Sequence, residues 1–224
     1  MLKIDVITLF PGMLSPVNES MLKIAQEKKK VLITVHNLRT YAHDRHHTCD
    51  DKPYGGGPGM VMKPEPLFEC LDAVKEKRPK AKVTLLTPQG KRFDQKTAKR
   101  LAKKEELILV CGHYEGIDER IRKHAIDNEI SIGDFVLTGG EYAALCIIDA
   151  VARLLPGVLG NCESVTNESF QHKLLDFPHY TRPREYRGHS VPEILLNGNH
   201  KQIAAWRHAE ALKITKKKRP DLLI

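Results

Sequence analysis

Apolar and polar positions in the first half of the chain form two alternating kinds of pattern. Runs rich in β-branched residues, typical of strands, alternate with segments of helical spacing that have basic outer faces. The runs are 4–9, 32–35, 83–86 and 107–110, and the helical segments are 65–77 and 94–104. The last two runs are apolar almost throughout, as in strands covered on both faces. The alternation predicts an α/β domain with a mainly parallel sheet.

Three glycine-containing segments stand where loops should leave this sheet. Pro88-Gln89-Gly90 directly follows the third run, and Gly112-His113-Tyr114-Glu115-Gly116 directly follows the fourth. The segment 132–141 predicts a turn, a short strand and a helix start with a capping box between Thr138 and Glu141. Each segment alone is more typical of a plain turn. Three at neighbouring strand ends favour a small-molecule pocket built from backbone groups.

The segment that follows, 142–155, is apolar on most faces of a predicted helix. Such a helix is buried, either in the core or in a dimer interface. Asp149 and Arg153 are four residues apart on it, so an ordinary helix ion pair is one reading of Arg153.

Beyond Pro156-Gly157 the pattern changes. Residues 160–172 are polar without periodicity, which indicates a linker, and helical spacing returns over 200–218. These features predict a small helical domain at the end of the chain. Its last turn is basic, which fits either RNA binding or a solvated helix end whose cations complement the helix dipole.

Composition limits the classes of protein to which the chain can belong. The 224 residues carry 36 Lys and Arg against 28 Asp and Glu, a net charge of +8 that favours anionic partners such as nucleic acid. The five cysteines include no Cys-x-x-Cys pair, as expected of reduced thiols rather than a disulfide frame. No apolar run approaches the roughly 18 residues of a bilayer span, and Asp5 lies where a signal peptide would be apolar. We expect a cytoplasmic protein without a membrane partner.

A second glycine-rich segment, 53–60, holds four Gly and two Pro and must turn sharply. It lacks the Gly-Lys-Ser/Thr ending of a phosphate-binding loop, so ATP hydrolysis loses support. The preceding cluster of His43, His46 and His47 matches no standard zinc spacing. Contacts to RNA phosphates or a flexible loop explain the cluster better than a metal site, and no metal ligands are predicted.

Several long motifs together resemble the bacterial tRNA (guanine-N1)-methyltransferase family, TrmD. In the family's order, and over nearly the whole chain, they are Tyr54-Gly55-Gly56-Gly57-Pro58-Gly59-Met60, Cys111-Gly112-His113-Tyr114-Glu115-Gly116-Ile117-Asp118-Glu119-Arg120, 131–141, Leu155-Pro156-Gly157-Val158-Leu159 and Pro178-His179-Tyr180-Thr181-Arg182-Pro183. The resemblance implies a SPOUT-type parallel sheet, with a deep trefoil knot over roughly 86–154, and a small C-terminal helical domain. The implied organisation is a knotted domain over 1–159, a linker over 160–174 and a tRNA-binding domain over 175–224.

The resemblance also implies S-adenosylmethionine as methyl donor, bound in the knot. The residues that it assigns to the donor are Leu86, Pro88, Gly112, Tyr114, Gly116, Ile132, Gly133, Asp134, Phe135, Val136, Leu137, Gly139 and Gly140. The glycines among them would leave space that a side chain would take from the ligand. A Mg²⁺ requirement is compatible with the family, but no residue pattern predicts it.

The implied acceptor is N1 of the guanosine at position 37 of tRNA, next to the anticodon. Because N1 carries a proton at neutral pH, a base must remove it. The family's aspartate in an Asp-Ser-Phe motif corresponds to Glu168 in Asn167-Glu168-Ser169-Phe170, and its arginine partner corresponds to Arg153. Glutamate is one methylene longer than the family's aspartate. The difference would move the carboxylate by about 1 Å, a distance at which catalytic geometry is sensitive. The tRNA contacts implied by the resemblance are Arg45, His46, Asp50, Tyr54, Gly57, Arg182, Arg184 and Lys216.

Three other functions stay open at this stage. They are ribose 2′-O-methylation on the same fold class, RNA binding without catalysis, and a metal-dependent hydrolase using the histidine cluster. The family resemblance and the apolar segment 142–155 also predict a homodimer, with the linker and small domain of one chain meeting the knot of the other.

Overall fold

The computed structural model describes residues 1–159 and 168–224 of the 224-residue chain. The chain divides into two compact units, Met1–Gly160 and Asn161–Ile224. Cys162 and the part of the predicted linker over 160–167 lie outside the described residues.

The first unit is built on a five-stranded parallel sheet with the strand order β2-β1-β6-β5-β7. Its strands are β1 (Leu2–Thr8), β2 (Val31–Asn37), β5 (Lys82–Arg92), β6 (Glu106–Cys111) and β7 (Asn128–Ser131), and a separate two-stranded ribbon pairs β3 (Asp50–Asp51) with β4 (Val61–Met62). The α/β class with a parallel sheet is therefore confirmed, and all four predicted runs are strands.

The helices of this unit cover both faces of the sheet. They are α1 (Ser20–Glu27), α2 (Pro64–Lys77), α3 (Gln95–Leu101), α4 (Glu119–Ala125) and α5 (Glu141–Ala152), with 3-10 turns at Pro11–Asn18 and Leu38–Tyr41. Leu107 and Leu109 of β6 belong to a core that includes α5, whereas Ile108 and Val110 belong to a core that includes α2. Successive side chains of a strand point to opposite faces, so a strand between two helical layers must be apolar at every position.

Two local predictions around the glycine segments are wrong. The segment 88–90 does not follow β5 as a loop: β5 continues to Arg92, and its register with β7 shifts between Leu86 and Lys91. A Cβ on Gly90 would lie 2.4 Å from the backbone nitrogen of Ile130, so the close approach of the two strands requires glycine there.

The segment 132–141 also differs from its prediction, since the strand precedes it as β7 and no strand is assigned over 132–139 of the described chain. Helix α5 begins at Glu141 with Gly140 as its N-cap, so Thr138 forms no capping box. The physical reason is that the Glu141 side chain turns into the core, where it is fully buried.

Helix α5 buries one face and exposes the other. Ala144, Ile148 and Val151 lie in the core, while Tyr142 is 55% exposed and Cys146 is exposed. The predicted burial of the apolar segment therefore holds for one face of the helix.

The second unit contains one long helix, α6 (His200–Lys218), with the bounds that the spacing predicts. Asn199 caps it by accepting a hydrogen bond from the Gln202 backbone N–H at 3.2 Å. The unit also holds the short hairpin of β8 (Glu185–Tyr186) and β9 (His189–Ser190), with 3-10 turns at Gln171–Lys173, Glu193–Leu195 and Pro220–Leu223. Three lysines end α6, where cations interact favourably with the helix dipole.

None of the helices described is both long enough and apolar enough to cross a membrane. The trefoil knot and the domain boundaries stay predictions from the family resemblance.

Candidate small-molecule and nucleic-acid site

A cavity of about 330 Å³ opens at the carboxyl ends of the central strands. Twelve of the thirteen residues predicted to bind the donor line it: Leu86, Pro88, Gly112, Tyr114, Gly116, Ile132, Gly133, Phe135, Val136, Leu137, Gly139 and Gly140. The thirteenth, Asp134, is absent from the described lining; its side chain is 88% exposed and lies 3.6 Å from Arg92. The structure thus brings segments distant in sequence to one place.

Backbone hydrogen bonds hold two of these segments together. The Gly140 N–H donates to the Gly112 carbonyl at 2.9 Å, and His113 and Gly139 form an isolated antiparallel bridge. Because Gly140 precedes α5 and Gly112 follows β6, these bonds fix the helix start against the strand end. The cavity wall is therefore tied to the sheet.

The lining glycines serve two different purposes. Gly112 and Gly116 leave open space, since a Cβ on Gly112 would be 3.7 Å from its nearest neighbour and no described atom would lie within 4 Å of one on Gly116. The space beside Gly133, Gly139 and Gly140 is already filled by protein, and a Cβ on Gly140 would lie 2.7 Å from the Cα of Cys111. For these three, packing within the protein explains glycine better than ligand space does.

Eleven lining residues were not predicted to bind the donor, and three of them have ionisable side chains: His113, Glu115 and Arg122. The first two lie inside the glycine segment 112–116, which was itself the available signal. Arg122 belongs to α4 and forms a two-pronged ion pair with Glu129, with Nη2 and Oε2 2.6 Å apart. The bond from Arg122 lowers the pKa of Glu129 and, reciprocally, raises the pKa of Arg122, so Arg122 stays charged at the cavity wall and Glu129 stays charged as its partner.

The floor beside the cavity contains buried polar groups. Thr8 donates a hydrogen bond to Oε1 of Glu141 at 2.6 Å, and both residues are fully buried. Burial, followed by the charge of Glu141, raises the pKa of the Cys111 thiol well above its usual value. Cys111 is thus a packing residue rather than a reactive thiolate.

The glycine-rich segment 53–60 reaches the cavity at one end. Glu115 donates its backbone N–H to the Met60 carbonyl at 3.0 Å, and Met62 donates to the Gly116 carbonyl at 2.9 Å. At the other end Tyr54 is fully exposed, and Gly57, at φ +117°, has no described atom within 4 Å of a Cβ position. The segment is thus tied to the cavity wall at one end and presents an aromatic ring to solvent at the other.

Asp50, another predicted tRNA contact, lies on β3 and influences Tyr114 of the cavity. Burial, followed by the negative charge of Asp50, raises the pKa of Tyr114. Tyr114 therefore keeps its phenolic proton and can donate a hydrogen bond.

The histidine cluster forms a polar turn. Asp44 accepts hydrogen bonds from Thr48 and His46, and the bonds from Thr48 lower the pKa of Asp44 to about 2. Arg45 and His46 are exposed on this turn, and His43 faces Glu69 at 2.6 Å. In the described ranges, no three His, Cys, Asp or Glu residues are grouped to hold a metal ion, so the hydrolase alternative gains no support.

The remaining predicted residues lie on different elements. Arg153 is the C-cap of α5, and Glu168 lines a cavity of about 310 Å³ inside the second unit. Phe177 and Arg207 line the same cavity, with the guanidinium 4.8 Å above the ring centre. Arg182 and Lys216 are exposed, and Arg184 forms an exposed ion pair with Glu193 at 2.6 Å.

Comparison with known proteins identifies the family. The family model described as "tRNA (Guanine-1)-methyltransferase TrmD" matches residues 2–224. Curated relatives named tRNA (guanine-N(1)-)-methyltransferase come from Dehalococcoides mccartyi, Geobacter sulfurreducens and Carboxydothermus hydrogenoformans. Each is 56% identical over 99% of this chain, covering 90%, 91% and 87% of the relatives' own lengths respectively. With a match along nearly its whole length, a parallel α/β sheet and a glycine-lined cavity at the strand ends, the chain belongs to the TrmD family of tRNA (guanine-N1)-methyltransferases, in the SPOUT class.

Proposed function

We propose that the protein transfers a methyl group from S-adenosylmethionine to N1 of guanosine 37 in tRNA. The observation that carries the proposal is the cavity at the strand ends, which gathers the donor-binding segments of a family matched over 2–224. Its volume is at the lower end of the roughly 300–1,000 Å³ typical of small-molecule sites.

The cavity fits the methyl donor by its chemistry. Leu86, Ile132 and Leu137 offer apolar surface to a flat ring, and the glycine segments offer backbone N–H and C=O groups. Glu115 adds a carboxylate at the wall, which attracts a positively charged sulfonium. When bound, S-adenosylmethionine supplies an electrophilic methyl group.

Glu168 is the base in this proposal. Its carboxylate accepts the proton that leaves guanine N1, so the electron pair of the N–H bond becomes available to form the N–CH₃ bond. The S–CH₃ bond of the donor breaks in the same transfer, and the sulfur keeps that electron pair as a neutral thioether. Arg153 supplies positive charge that stabilises the anionic guanine as the proton leaves. These two roles rest on correspondence with the family motif, in which aspartate stands at the position of Glu168.

The tRNA surface is proposed from exposed cationic and aromatic side chains. Arg45 and Lys216 carry charge suited to phosphates, and the fully exposed ring of Tyr54 can stack on an unpaired base. Arg184 is also available, because an exposed ion pair such as that with Glu193 contributes little stability. We propose a cytoplasmic location, because that is where a tRNA substrate is found. We also propose the segment 160–174 as the linker between the two functional domains.

The direct test is methyl transfer from labelled S-adenosylmethionine to an unmodified tRNA transcript, with the product nucleoside identified. We expect 1-methylguanosine as the product, and we expect none from a transcript with adenosine at position 37. A 2′-O-methylated product would indicate ribose methylation instead. RNA binding without donor binding or transfer would indicate a non-catalytic RNA-binding protein.

Substitution of Gly112 by Val tests the donor cavity. Because a Cβ there meets only ordinary contacts, the fold should survive while the added methyl groups fill ligand space. We expect calorimetry to show donor binding weakened by at least about ten-fold at unchanged melting temperature. Gly12→Val is the matched control, since Gly12 is exposed, lies outside the cavity lining and has open space beside it. Unchanged affinity in Gly112→Val would contradict the assignment.

Substitution of Glu168 by Gln tests the base. The amide keeps the shape of the side chain but loses basicity, so single-turnover transfer should slow by about 10²- to 10⁴-fold with little change in donor affinity. Glu168→Asp should stay active, because it restores the residue of the family motif. Arg153→Ala should slow transfer, with its melting temperature measured in parallel to detect a loss of helix stability. A rate for Glu168→Gln within a few-fold of the original enzyme would show that Glu168 is a bystander.

We propose that the protein is a homodimer, since α5 exposes Tyr142 and the nearby sequence exposes Phe135 and Val136, which are 54% and 84% accessible. Light scattering should give twice the chain mass of 25.4 kDa at micromolar concentration. Tyr142→Glu should shift the species toward the monomer, whereas Leu32→Glu, at a 40% exposed position of the edge strand β2, should not. A monomeric mass for the unsubstituted protein would refute the proposal.

A further inference from the structure

Two buried polar atoms beside the cavity stand out from the rest of the described chain. Nδ1 of His113 and Oε2 of Glu141 are buried, and within residues 1–159 and 168–224 neither has a hydrogen-bond partner. A buried polar atom without a partner carries a desolvation penalty, so native proteins rarely keep one without a reason. The two atoms therefore require a common explanation.

The two atoms converge on one point. A Cβ placed on Gly139 would lie 2.4 Å from Oε2 of Glu141 and 2.5 Å from Nδ1 of His113. A side chain at position 139 would push between them, and glycine leaves them facing each other. No direct hydrogen bond joins the two atoms in the described chain, but a small closing movement or one buried water molecule would bridge them.

Both partners are otherwise firmly held. The other carboxyl oxygen of Glu141 accepts a hydrogen bond from Thr8, whose hydroxyl in turn accepts one from the Phe10 backbone N–H at 2.9 Å. The His113 ring packs against Phe10, with ring centres 4.8 Å apart, and against Tyr114 at 4.7 Å. These contacts hold the two side chains beside each other, and a mutual link satisfies both atoms at once.

The location gives the link a function. His113 lines the cavity from the segment 112–116, and Glu141 directly follows Gly139-Gly140, which lines it from the other side. A hydrogen-bonded link between them adds a side-chain tie to the backbone bonds between these segments. It would fix the width of the cavity at the wall that both segments form.

We propose that Glu141 is a positioning residue for the methyl donor, acting through a buried hydrogen-bonded link to His113 that holds the two glycine-containing walls at their working separation. The proposal rests on the proposed function, in which this cavity binds S-adenosylmethionine. Glu141 itself does not touch the donor: its side chain lies in the core and is absent from the described cavity lining.

A double-mutant cycle on S-adenosylmethionine affinity tests the link. Glu141→Leu leaves Nδ1 of His113 unpaired and also removes the acceptor of the Thr8 hydroxyl, whereas His113→Phe leaves Oε2 of Glu141 unpaired. Each variant should weaken binding by about ten-fold or more in calorimetry. The double variant replaces both partners by apolar groups and should bind about as well as either single variant, not with the product of the two losses. Effects that multiply, or single variants within about two-fold of the original affinity, would overturn the proposal.

Conservative variants separate positioning from general packing. Glu141→Gln can still bond both Thr8 and His113, and His113→Asn can still bond Glu141, so each should stay within about three-fold of the original affinity. If Glu141→Leu does not fold, the comparison of His113→Asn with His113→Phe tests the link instead. Equal losses of S-adenosylmethionine affinity in these two variants, or no loss in either, would overturn the proposal.

The chain offers a matched control on the same strand as Thr8. Asp5 is a buried carboxylate of β1 that faces His36 at 2.8 Å, and neither residue is among the described cavity lining. His36→Phe should lower the melting temperature without changing donor affinity, whereas His113→Phe should change affinity. Failure of the unsubstituted protein to bind S-adenosylmethionine would instead refute the proposed function, and with it the role of the link.

Discussion

The cavity depends on one close approach, that of the turn before α5 to the end of the central strand β6. Gly140 donates its N–H to the carbonyl of Gly112, and there is no room for a side chain between Gly140 and Cys111. The approach places two irregular backbone segments side by side at the carboxyl end of the sheet, where both line the cavity. The central strand, buried on both faces, supplies the rigid support.

The sequence predicted those elements whose local residue pattern directly reflects their burial or their ends. The run 107–110 is apolar at every position because helices cover both sides of β6, and α6 begins after Asn199, which caps it. Strand β7 was missed because it pairs with β5 alone at the sheet edge and has one aliphatic residue, Ile130, among its four. Its identity as a strand depends on its neighbour more than on its own pattern.

The errors at the site have the same origin. The capping box was a sound local expectation, but Glu141 bonds Thr8, 133 residues away, and a contact at that separation leaves no trace in a local pattern. Arg122 was missed because a basic position on a short helix is ordinarily a solvated one, and its pairing with Glu129 appears only when β7 is placed. The predicted donor segments line one cavity, as expected of glycine-containing segments at parallel strand ends, and the family motifs supplied the predicted members that lack glycine.

Helix α5 is also a spacer of fixed length. Its twelve residues measure about 18 Å along the axis, with the cavity at its first turn and Arg153 at its far end. Among the described residues, no α5 side chain beyond Ala143 reaches the cavity wall. Because an α-helix of this length is rigid along its axis, a displacement of the cavity wall at Gly140 moves Arg153 by about the same distance. The two ends of α5 therefore cannot shift independently of each other.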